Sequence, residues 1–325
     1  MTVKRQPVTN SPPIVFVQRG RTFYFPTVLV QAARRCASSR IYVISDVAPA
    51  SYLPARLASS CVWVPVSSVD ASADDFRRHY VHLSVNRPWL EQLCFERWFM
   101  IRELARRQGF PAVLHLDSDV LVESDIGQHL ARRDGPSVMF SRRMGPHVAY
   151  FREVAYLEQL CDDIIDTYRS SEGVAGLRRA YQAILDRGHM GAISDMFFFE
   201  RLVVSAGTAY GDTFDVVEGE FFDHSMGMSE GYVSRLGTKV VCHRGSEAFC
   251  RRVDSGEWVR VLALHFQGIT KIWMGWHADV RTLSDVVRSA RLWFWGGVSY
   301  AGRVHRYVMR KWIVVWRQWN ARTAT

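Results

Sequence analysis

Short apolar runs alternate with longer amphipathic segments through the first part of the chain. Uninterrupted runs predict buried strands, and apolar residues spaced three or four apart predict helices between them. The predicted strands cover 14–17, 40–44, 61–66 and 113–122, and the predicted helices cover 22–37 and 89–107. This alternation favours an α/β fold in which helices cover a mostly parallel sheet.

The pattern becomes mixed after residue 125. Strands are predicted at 137–141, 239–243 and 259–265, and helices at 152–168 and 175–186. The segment 194–200 is apolar, with Asp195 near its start. No linker rich in Gly, Ser or Pro separates the two halves, so we expect the second half to continue the same mixed α/β fold.

The composition is that of a globular protein, and the positive charge is concentrated at one end. Hydrophobic residues make up 48% of the 325 residues and charged residues 22%, which favours a folded chain over a largely disordered one. The formal net charge is +9, and residues 286–325 hold eight Arg or Lys side chains and no Asp or Glu. The preceding part is therefore nearly neutral. We expect no nucleic-acid partner, because no recognition motif accompanies the basic residues.

The basic segment 286–325 has the pattern of an amphipathic helix. One helical face carries valines and tryptophans and the opposite face carries arginines, which suits an anionic membrane surface. The alternative is a C-terminal helix that packs its tryptophans against the body of the protein. No run of 18 apolar residues predicts a membrane span, and residues 1–13 contain no apolar targeting segment. We therefore expect a cytoplasmic protein that binds peripherally to the inner face of the membrane. The apolar face comprises Val308, Trp312, Val315, Trp316 and Trp319, and the basic face comprises Arg303, Arg306, Arg310 and Arg317.

The segment 113–121 reads V-L-H-L-D-S-D-V-L, an apolar strand with two aspartates one residue apart. Side chains alternate along a strand, so Asp117 and Asp119 are predicted to share one face. Two neighbouring carboxylates repel each other, and their burial is unfavourable unless a cation lies between them. Mg²⁺ or Mn²⁺ suits carboxylate oxygens, and an ion at the carboxyl end of a strand is well placed to hold a diphosphate. The alternative is a solvated Asp-Ser-Asp turn.

A second candidate segment, 264–271, reads L-H-F-Q-G-I-T-K. His265 ends an apolar strand and could add an imidazole nitrogen to a metal site. Gly268 permits close approach of the backbone to a ligand, and Lys271 supplies a compact positive charge for phosphate. The alternative is a strand-end histidine, a turn glycine and a solvated lysine.

Together, these motifs resemble those of metal-dependent glycosyltransferases of the GT-A fold. Family 8 is the most similar, since it combines a D-x-D with a C-terminal motif of His, Gly and Lys. The resemblance implies that Asp117, Asp119 and His265 bind Mn²⁺ or Mg²⁺, and that Gly268 and Lys271 contact the diphosphate of a nucleotide sugar, with a UDP-sugar favoured. It also implies a Rossmann-like mixed sheet and retention of the anomeric configuration.

Three further residues are candidates for the donor site. Family members carry an arginine on the helix before the D-x-D, here Arg97, which could reach the diphosphate or orient the first aspartate. The alternative is a surface salt bridge with Glu96 or Glu103. Ser118 and Gln18 are also predicted to contact the donor, although the family often has Asp or Asn at the end of the first strand, which leaves the nucleotide open.

Asp195 lies where related enzymes place an acidic residue beside the transferred sugar. It is predicted to bind sugar hydroxyls or stabilise an oxocarbenium-like transition state, while Lys271 stabilises the leaving diphosphate. The alternative for Asp195 is a helix N-cap or a turn. A polar cluster flanked by aromatic residues is a further candidate, for the sugar acceptor, although a solvent loop has the same composition. This cluster comprises Glu218, Glu220, Asp223 and His224.

The whole sequence predicts a metal-dependent glycosyltransferase that moves a sugar from a nucleotide diphosphate to a hydroxyl of a glycan or lipid-linked acceptor. The expected division is a polar leader at 1–13, a GT-A catalytic domain at 14–275 and a basic aromatic tail at 276–325. Within the domain, 14–125 would bind the nucleotide sugar and 126–275 the acceptor. Two alternatives stay open. One is a non-catalytic GT-A-fold scaffold at the membrane surface. The other is a sugar nucleotidyltransferase, which would carry a glycine-rich basic loop after the first strand, where this chain has Q-R-G-R.

Overall fold

A seven-stranded sheet, a five-stranded sheet, a two-stranded sheet and the helices around them make up the described part of the computed structural model, residues 11–51, 53–132, 135–188 and 191–278. The strands are β1 (Ile14–Gln18), β2 (Ile41–Ser45), β3 (Cys61–Pro65), β4 (Val113–Leu116), β5 (Val120–Val122), β6 (Val138–Ser141), β7 (Gly145–Phe151), β8 (Tyr210–Asp212), β9 (Glu220–Phe222), β10 (Ser234–Arg235), β11 (Thr238–Lys239), β12 (Val241–Arg244), β13 (Glu247–Arg251) and β14 (Trp258–His265). The α-helices are α1 (Phe25–Arg35), α2 (Ala55–Ala58), α3 (Val66–Val69), α4 (Asp74–His79), α5 (Pro88–Gln108), α6 (Ile126–Arg132), α7 (Ala155–Arg169), α8 (Ser171–Asp186), α9 (Asp195–Ala206) and α10 (Met274–His277). Short 3-10 turns occur at Pro49–Ser51, Asp70–Ala73, Gly207–Ala209 and Gly268–Trp273.

The central sheet has the strand order β3-β2-β1-β4-β7-β6-β8 within the described ranges. Neighbouring strands pair in parallel, except that β7 is antiparallel to β4 and β6. The predicted α/β class, with a mostly parallel sheet flanked by helices, is thus confirmed. The chain passes outward from β1 to β3 and returns to β4 on the other side of β1. Open α/β sheets bind ligands outside the carboxyl ends of the strands at such a switch point. Gln18 ends β1 and Asp117 follows β4, so both residues lie at this edge.

Both faces of the inner strands β1, β2 and β4 are buried, which explains why these strands are mostly apolar. Along β1, Ile14 and Phe16 lie in one core and Val15 lies in the other. The first core also contains residues of α1 and of the second sheet, and the second core contains residues of α5, α7 and α9. Helix α5 begins at Pro88, whose missing N–H is not needed in a first turn, and ends before Gly109, which has a left-handed φ of +62°.

The predicted strand over 113–122 is interrupted at the aspartates. β4 ends at Leu116, and the Val120 N–H donates to the Asp117 C=O at 3.0 Å, which closes a turn. The chain then enters the second sheet, of order β12-β13-β14-β5, in which β5 is antiparallel to β14. Asp and Ser favour turns because their side chains hydrogen-bond to nearby backbone groups. The expectation that strand alternation orients Asp117 and Asp119 is therefore wrong, since both lie in the turn that joins the two sheets.

Other predicted elements differ from the structure mainly at their ends. The hydrophobic pattern does not predict β7, although all seven of its residues are buried. Helix α1 begins at Phe25 rather than at residue 22, with Pro26 in its first turn, and α8 begins at Ser171 rather than at residue 175. The predicted strand at 239–243 is divided between β11 and β12, and the apolar segment 194–200 lies in α9.

The basic segment 286–325 lies outside the described residues. Its amphipathic helix and its docking on a membrane therefore stay predictions, as does the division of the chain into leader, domain and tail. Within the ranges that the structure describes, no helix is both long and apolar enough to cross a membrane.

Candidate functional site

Three potential metal ligands meet at the carboxyl edge of the central sheet. One ligand atom from each of Asp117, Asp119 and His265 lies within 4.8 Å of the others. The pairing of β5 with β14 places His265 opposite Val120, and the Phe266 N–H donates to the Asp119 C=O at 3.0 Å. Antiparallel pairing of these strands therefore brings a histidine that is distant in the sequence to the D-x-D turn.

His265 is oriented by a hydrogen bond to the backbone. Its Nδ1 lies 2.6 Å from the C=O of His224, and Nδ1 carries a proton because a carbonyl can only accept. Its Nε2 faces Asp119 Oδ1 at 3.4 Å, so either a second ring proton or a metal ion must separate these two atoms. A carbonyl on the far nitrogen is a usual support of a metal-bound imidazole. Burial lowers the pKa of His265, but the charges of Asp119 and Asp117 outweigh burial and raise this pKa overall.

Asp119 also forms an ion pair with Lys271. Lys271 Nζ lies 2.7 Å from Asp119 Oδ2 and 4.9 Å from the centre of the Tyr24 ring. Burial raises the pKa of Asp119, but His265 and Lys271 outweigh burial, and the pKa lies below its ordinary value.

Lys271 belongs to the 3-10 turn that begins at Gly268. Gly268 has a φ of +63°, in the left-handed region that favours glycine. A Cβ at this position would meet no atom of the described structure within 4 Å. The backbone conformation, and not close packing inside the protein, therefore explains the glycine in this motif.

Two basic side chains hold Asp117. Arg97 donates from Nη1 to Asp117 Oδ1, and His115 Nε2 lies 3.0 Å from the same oxygen. The His115 ring is fixed in turn by the Val15 C=O, 3.0 Å from Nδ1. Burial raises the pKa of Asp117, but Arg97 and His115 outweigh burial, so that this pKa lies well below its ordinary value.

These contacts change the electrostatic argument for a metal ion. The two aspartates face Arg97 on one side and Lys271 and His265 on the other. Cationic groups of the protein therefore compensate the buried carboxylates, and repulsion between them does not by itself require a metal. The donor set does fit one, because two carboxylates and one imidazole within a few ångströms suit Mn²⁺ or Mg²⁺.

Arg97 links the D-x-D turn to Asp195. Arg97 Nη2 lies 2.8 Å from Asp195 Oδ2, which also accepts from Trp98 Nε1 at 2.9 Å. Asp195 is only 3% exposed and is the first residue of α9, while Ser194 is the N-cap. The alternative role of Asp195 as an N-cap is therefore wrong. Arg97 contacts the first aspartate of the D-x-D and Asp195, so the alternative of a surface salt bridge is also wrong.

The two further donor-contact candidates lie at the same edge, and their contact with a nucleotide stays a prediction. Gln18 is 8% exposed and donates from Nε2 to the Arg19 C=O at 2.6 Å. It lines a cavity of about 110 Å³ together with Ser45. Ser118 lies between the two aspartates in the sequence, in the turn that joins β4 to β5.

The predicted acceptor cluster is divided between two places. Glu218 and Glu220 line a separate cavity of about 720 Å³, where Glu220 pairs with Arg260 at 2.8 Å. Asp223 and His224 are instead buried beside the candidate metal ligands. The four residues therefore do not form a single polar cluster, since Glu218 lies in an exposed turn whereas Asp223 and His224 are buried.

Two buried histidines of the site, His115 and His147, are not among the residues predicted from the sequence. His115 supports Asp117, and His147 stacks on the His265 ring, with 4.1 Å between ring centres and 11° between ring planes. His147 Nε2 lies 2.8 Å from His224 Nδ1, and burial lowers the pKa of His147 well below its ordinary value. His147 lies in β7, and its only signal in the sequence is an isolated histidine before the apolar run 148–151.

Comparisons with known proteins do not assign this chain to a family. The sequence matches no protein-family model and no curated protein. Mouse xyloside xylosyltransferase 1, in its apo form, is 10% identical with a TM-score of 0.41, over 62% of this chain and 84% of that one. The glycosyltransferase GlyE of Streptococcus pneumoniae TIGR4 is 13% identical with a TM-score of 0.32, over 62% of this chain and 45% of that one. Likenesses this distant establish neither a shared fold nor a shared activity.

Proposed function

We propose that the protein is a metal-dependent glycosyltransferase that moves a sugar from a nucleotide diphosphate to a hydroxyl group. The observation that carries this proposal is the convergence of Asp117, Asp119 and His265 at the carboxyl edge of the sheet, with Lys271 beside them. This arrangement supports a divalent ion, Mn²⁺ or Mg²⁺, next to a fixed cation at the switch point of the sheet. The resemblance of the motifs to family 8 supports a GT-A fold, a UDP-sugar donor and retention of configuration.

Lys271 is the side chain that we assign to the leaving group. A bound divalent ion would act as a Lewis acid on the departing diphosphate. Negative charge also develops on that diphosphate, and a fixed ammonium group stabilises it. The Lys271 side chain is 18% exposed and lies against the Tyr24 ring, so its Nζ can exchange the Asp119 carboxylate for a phosphate oxygen by a small movement.

We assign Arg97 to the orientation of Asp117, and Asp195 to the transferred sugar. Arg97 bonds both carboxylates at once, which fixes the position of one relative to the other. Arg97 and Trp98 both donate to Asp195 Oδ2, so a sugar hydroxyl would meet Oδ1.

The loop after β1 disfavours the nucleotidyltransferase alternative. Such an enzyme needs backbone N–H groups and basic side chains that can bind a triphosphate. Here Arg19 pairs with Asp70 and, at 3.2 Å, with Glu96. The Gly20 N–H donates to Asp46 Oδ2 at 3.0 Å. These donors are engaged within the protein.

The acceptor that we propose is a glycan or a lipid-linked sugar at the inner face of the membrane. This part of the proposal is supported by the sequence of the basic segment 286–325. The segment combines arginines with tryptophans in the pattern of an interfacial helix. Recruitment of the enzyme to the membrane would bring it to a lipid-linked acceptor.

A thermal-shift experiment tests the proposed donor site. The protein is heated with UDP, GDP, CMP or ATP, each in Mn²⁺ and in EDTA. A nucleotide at about 100 times its Kd stabilises the folded state by roughly 2.7 kcal/mol, which is on the order of 5 °C for a chain of this size. We expect a shift with UDP that requires Mn²⁺ and that is lost in Asp119→Asn.

The matched control is Asp254→Asn, because Asp254 is an exposed aspartate that pairs only locally, with Arg252 at 2.6 Å. This variant should keep the shift. No shift with any nucleotide would support the scaffold alternative. A shift with ATP alone would support nucleotidyl transfer.

A further inference from the structure

A buried ion pair lies directly behind the candidate ligand His265. Lys239 and Asp223 have side chains that are 0% exposed, and Lys239 Nζ bonds Asp223 Oδ1. Lys239 Nζ also donates to the Ser225 C=O at 2.7 Å and bonds the Glu230 carboxylate. A lysine without solvent contact is unusual, and here three oxygen acceptors replace its water shell.

The same aspartate contacts the backbone of His265. Asp223 Oδ2 accepts from the His265 N–H at 3.0 Å. The next residue, His224, accepts from His265 Nδ1 through its C=O at 2.6 Å. Two successive residues therefore fix the main chain and the imidazole of His265 separately.

His265 needs this support because of its place in the fold. It is the last residue of β14, where the Phe266 N–H continues the pairing with β5 by bonding the Asp119 C=O. On the opposite side of β14, the pairing with β9 ends at Ala263 and Phe222, so the bond to Asp223 Oδ2 supplies the partner of the His265 N–H beyond the end of β9. Because Lys239 bonds the other oxygen of Asp223, it fixes the direction in which the carboxylate faces.

We propose that Asp223 and Lys239 are positioning residues that set the geometry of His265 for a divalent ion. This inference rests on the metal site proposed above. It assigns Asp223 to the support of a ligand, in place of the acceptor role that its sequence context predicts. Partners of metal ligands typically contribute about 10–100-fold to metal affinity, because they hold the ligand in the bound orientation.

Mn²⁺ titration of the full-length protein by electron paramagnetic resonance tests the inference without measuring activity. In Asp223→Asn, one amide oxygen replaces two carboxylate oxygens, so Lys239 and the His265 N–H cannot both be satisfied. We expect Mn²⁺ to bind about 10–100-fold more weakly. We also expect a changed nitrogen modulation of the electron spin echo, which reports imidazole coordination.

The matched control is Glu230→Gln. Glu230 bonds the same Lys239 but forms no hydrogen bond with His265 among the described residues, so Glu230→Gln should leave Mn²⁺ affinity within about twofold of wild type, well below the effect expected for a ligand partner. Asp223→Glu is the second test variant. It keeps the charge of the buried cluster and displaces the carboxylate by one methylene, and it should also weaken Mn²⁺ binding.

The outcomes separate this inference from the proposed function. Absence of Mn²⁺ binding by the wild type would overturn the metal site and this inference together. Wild-type binding with unchanged affinity in Asp223→Asn would overturn the positioning role alone. Failure of both Asp223 variants to fold would assign the ion pair to stability, and the positioning role would be rejected.

Discussion

Replacement of Arg97 by methionine should destabilise the protein strongly when metal is absent. The Arg97 side chain is 13% exposed and pairs with Asp117 and, at 2.8 Å, with Asp195, whose side chain is 4% exposed. Without the guanidinium, two poorly solvated carboxylates lose their shared cation. Methionine keeps an apolar stem but lacks the guanidinium that lies over the Trp98 ring, so the change removes the charge, its hydrogen bonds and this ring contact.

The expected loss follows from the burial of the two partners. Breaking a buried ion pair by removal of one member costs about 3–5 kcal/mol. Asp117 is 25% exposed and keeps its hydrogen bond with His115, so we expect the lower end, about 3 kcal/mol. The assay is urea denaturation in EDTA, in which no metal ion can compensate Asp117. In the Arg97→Met background, Asp195→Asn should recover part of the loss, because a neutral amide still accepts from Trp98.

The control lies on the same helix. Arg107 pairs with Glu103 at 2.6 Å one turn away, and its side chain is 50% exposed. Arg107→Met should cost no more than about 0.5 kcal/mol, as is usual for exposed pairs. A loss of less than about 1 kcal/mol in Arg97→Met would refute the reasoning, because it would show that the two carboxylates do not depend on this cation.

Three further predictions concern acid stability, one glycine and the basic segment. Burial lowers the pKa of His224 and of His277 to about 4, so below pH 6.5 the unfolded chain binds more protons there. Stability should therefore fall from about pH 6.5 toward pH 4, by roughly 3 kcal/mol for His224, and a flat urea-midpoint profile over this range would contradict that. Gly268→Ala should lower the free energy of unfolding by about 1–2 kcal/mol, because φ at this residue is +63° and the new Cβ would meet no atom within 4 Å that could offset the strain. Urea denaturation measures this loss, and an unchanged midpoint would exclude the left-handed conformation. Truncation after Thr282 should release the protein from anionic vesicles in cosedimentation, and retained binding would reject the membrane role.

Local sequence patterns were sufficient to predict the elements that carry the proposed donor site. The strands β1, β2 and β3 are continuous apolar runs, and α5 has helical spacing with a proline at its start and a glycine after its end. Such signals lie within one segment and do not depend on distant residues. The three candidate metal ligands could be identified from the resemblance of their motifs to a known family, and the structure brings them together.

Contacts between distant segments could not be predicted in this way. The D-x-D turn exists because the chain leaves β4 to pair β5 with β14, and nothing within 113–122 marks that change of sheet. The cations that compensate Asp117 and Asp119 come from α5 and from the turn after β14. In the sequence, Asp223 belongs to a polar cluster, but its ion pair with Lys239 can be identified only from the folded structure.

Anomalous diffraction at the manganese edge, from crystals grown with MnCl₂ and UDP, would test the central claim most directly. We expect one anomalous peak within coordination distance of Asp117, Asp119 and His265, with the diphosphate of UDP bound to the ion and to Lys271. No peak among these three residues, with Mn²⁺ and UDP bound elsewhere or not at all, would contradict it.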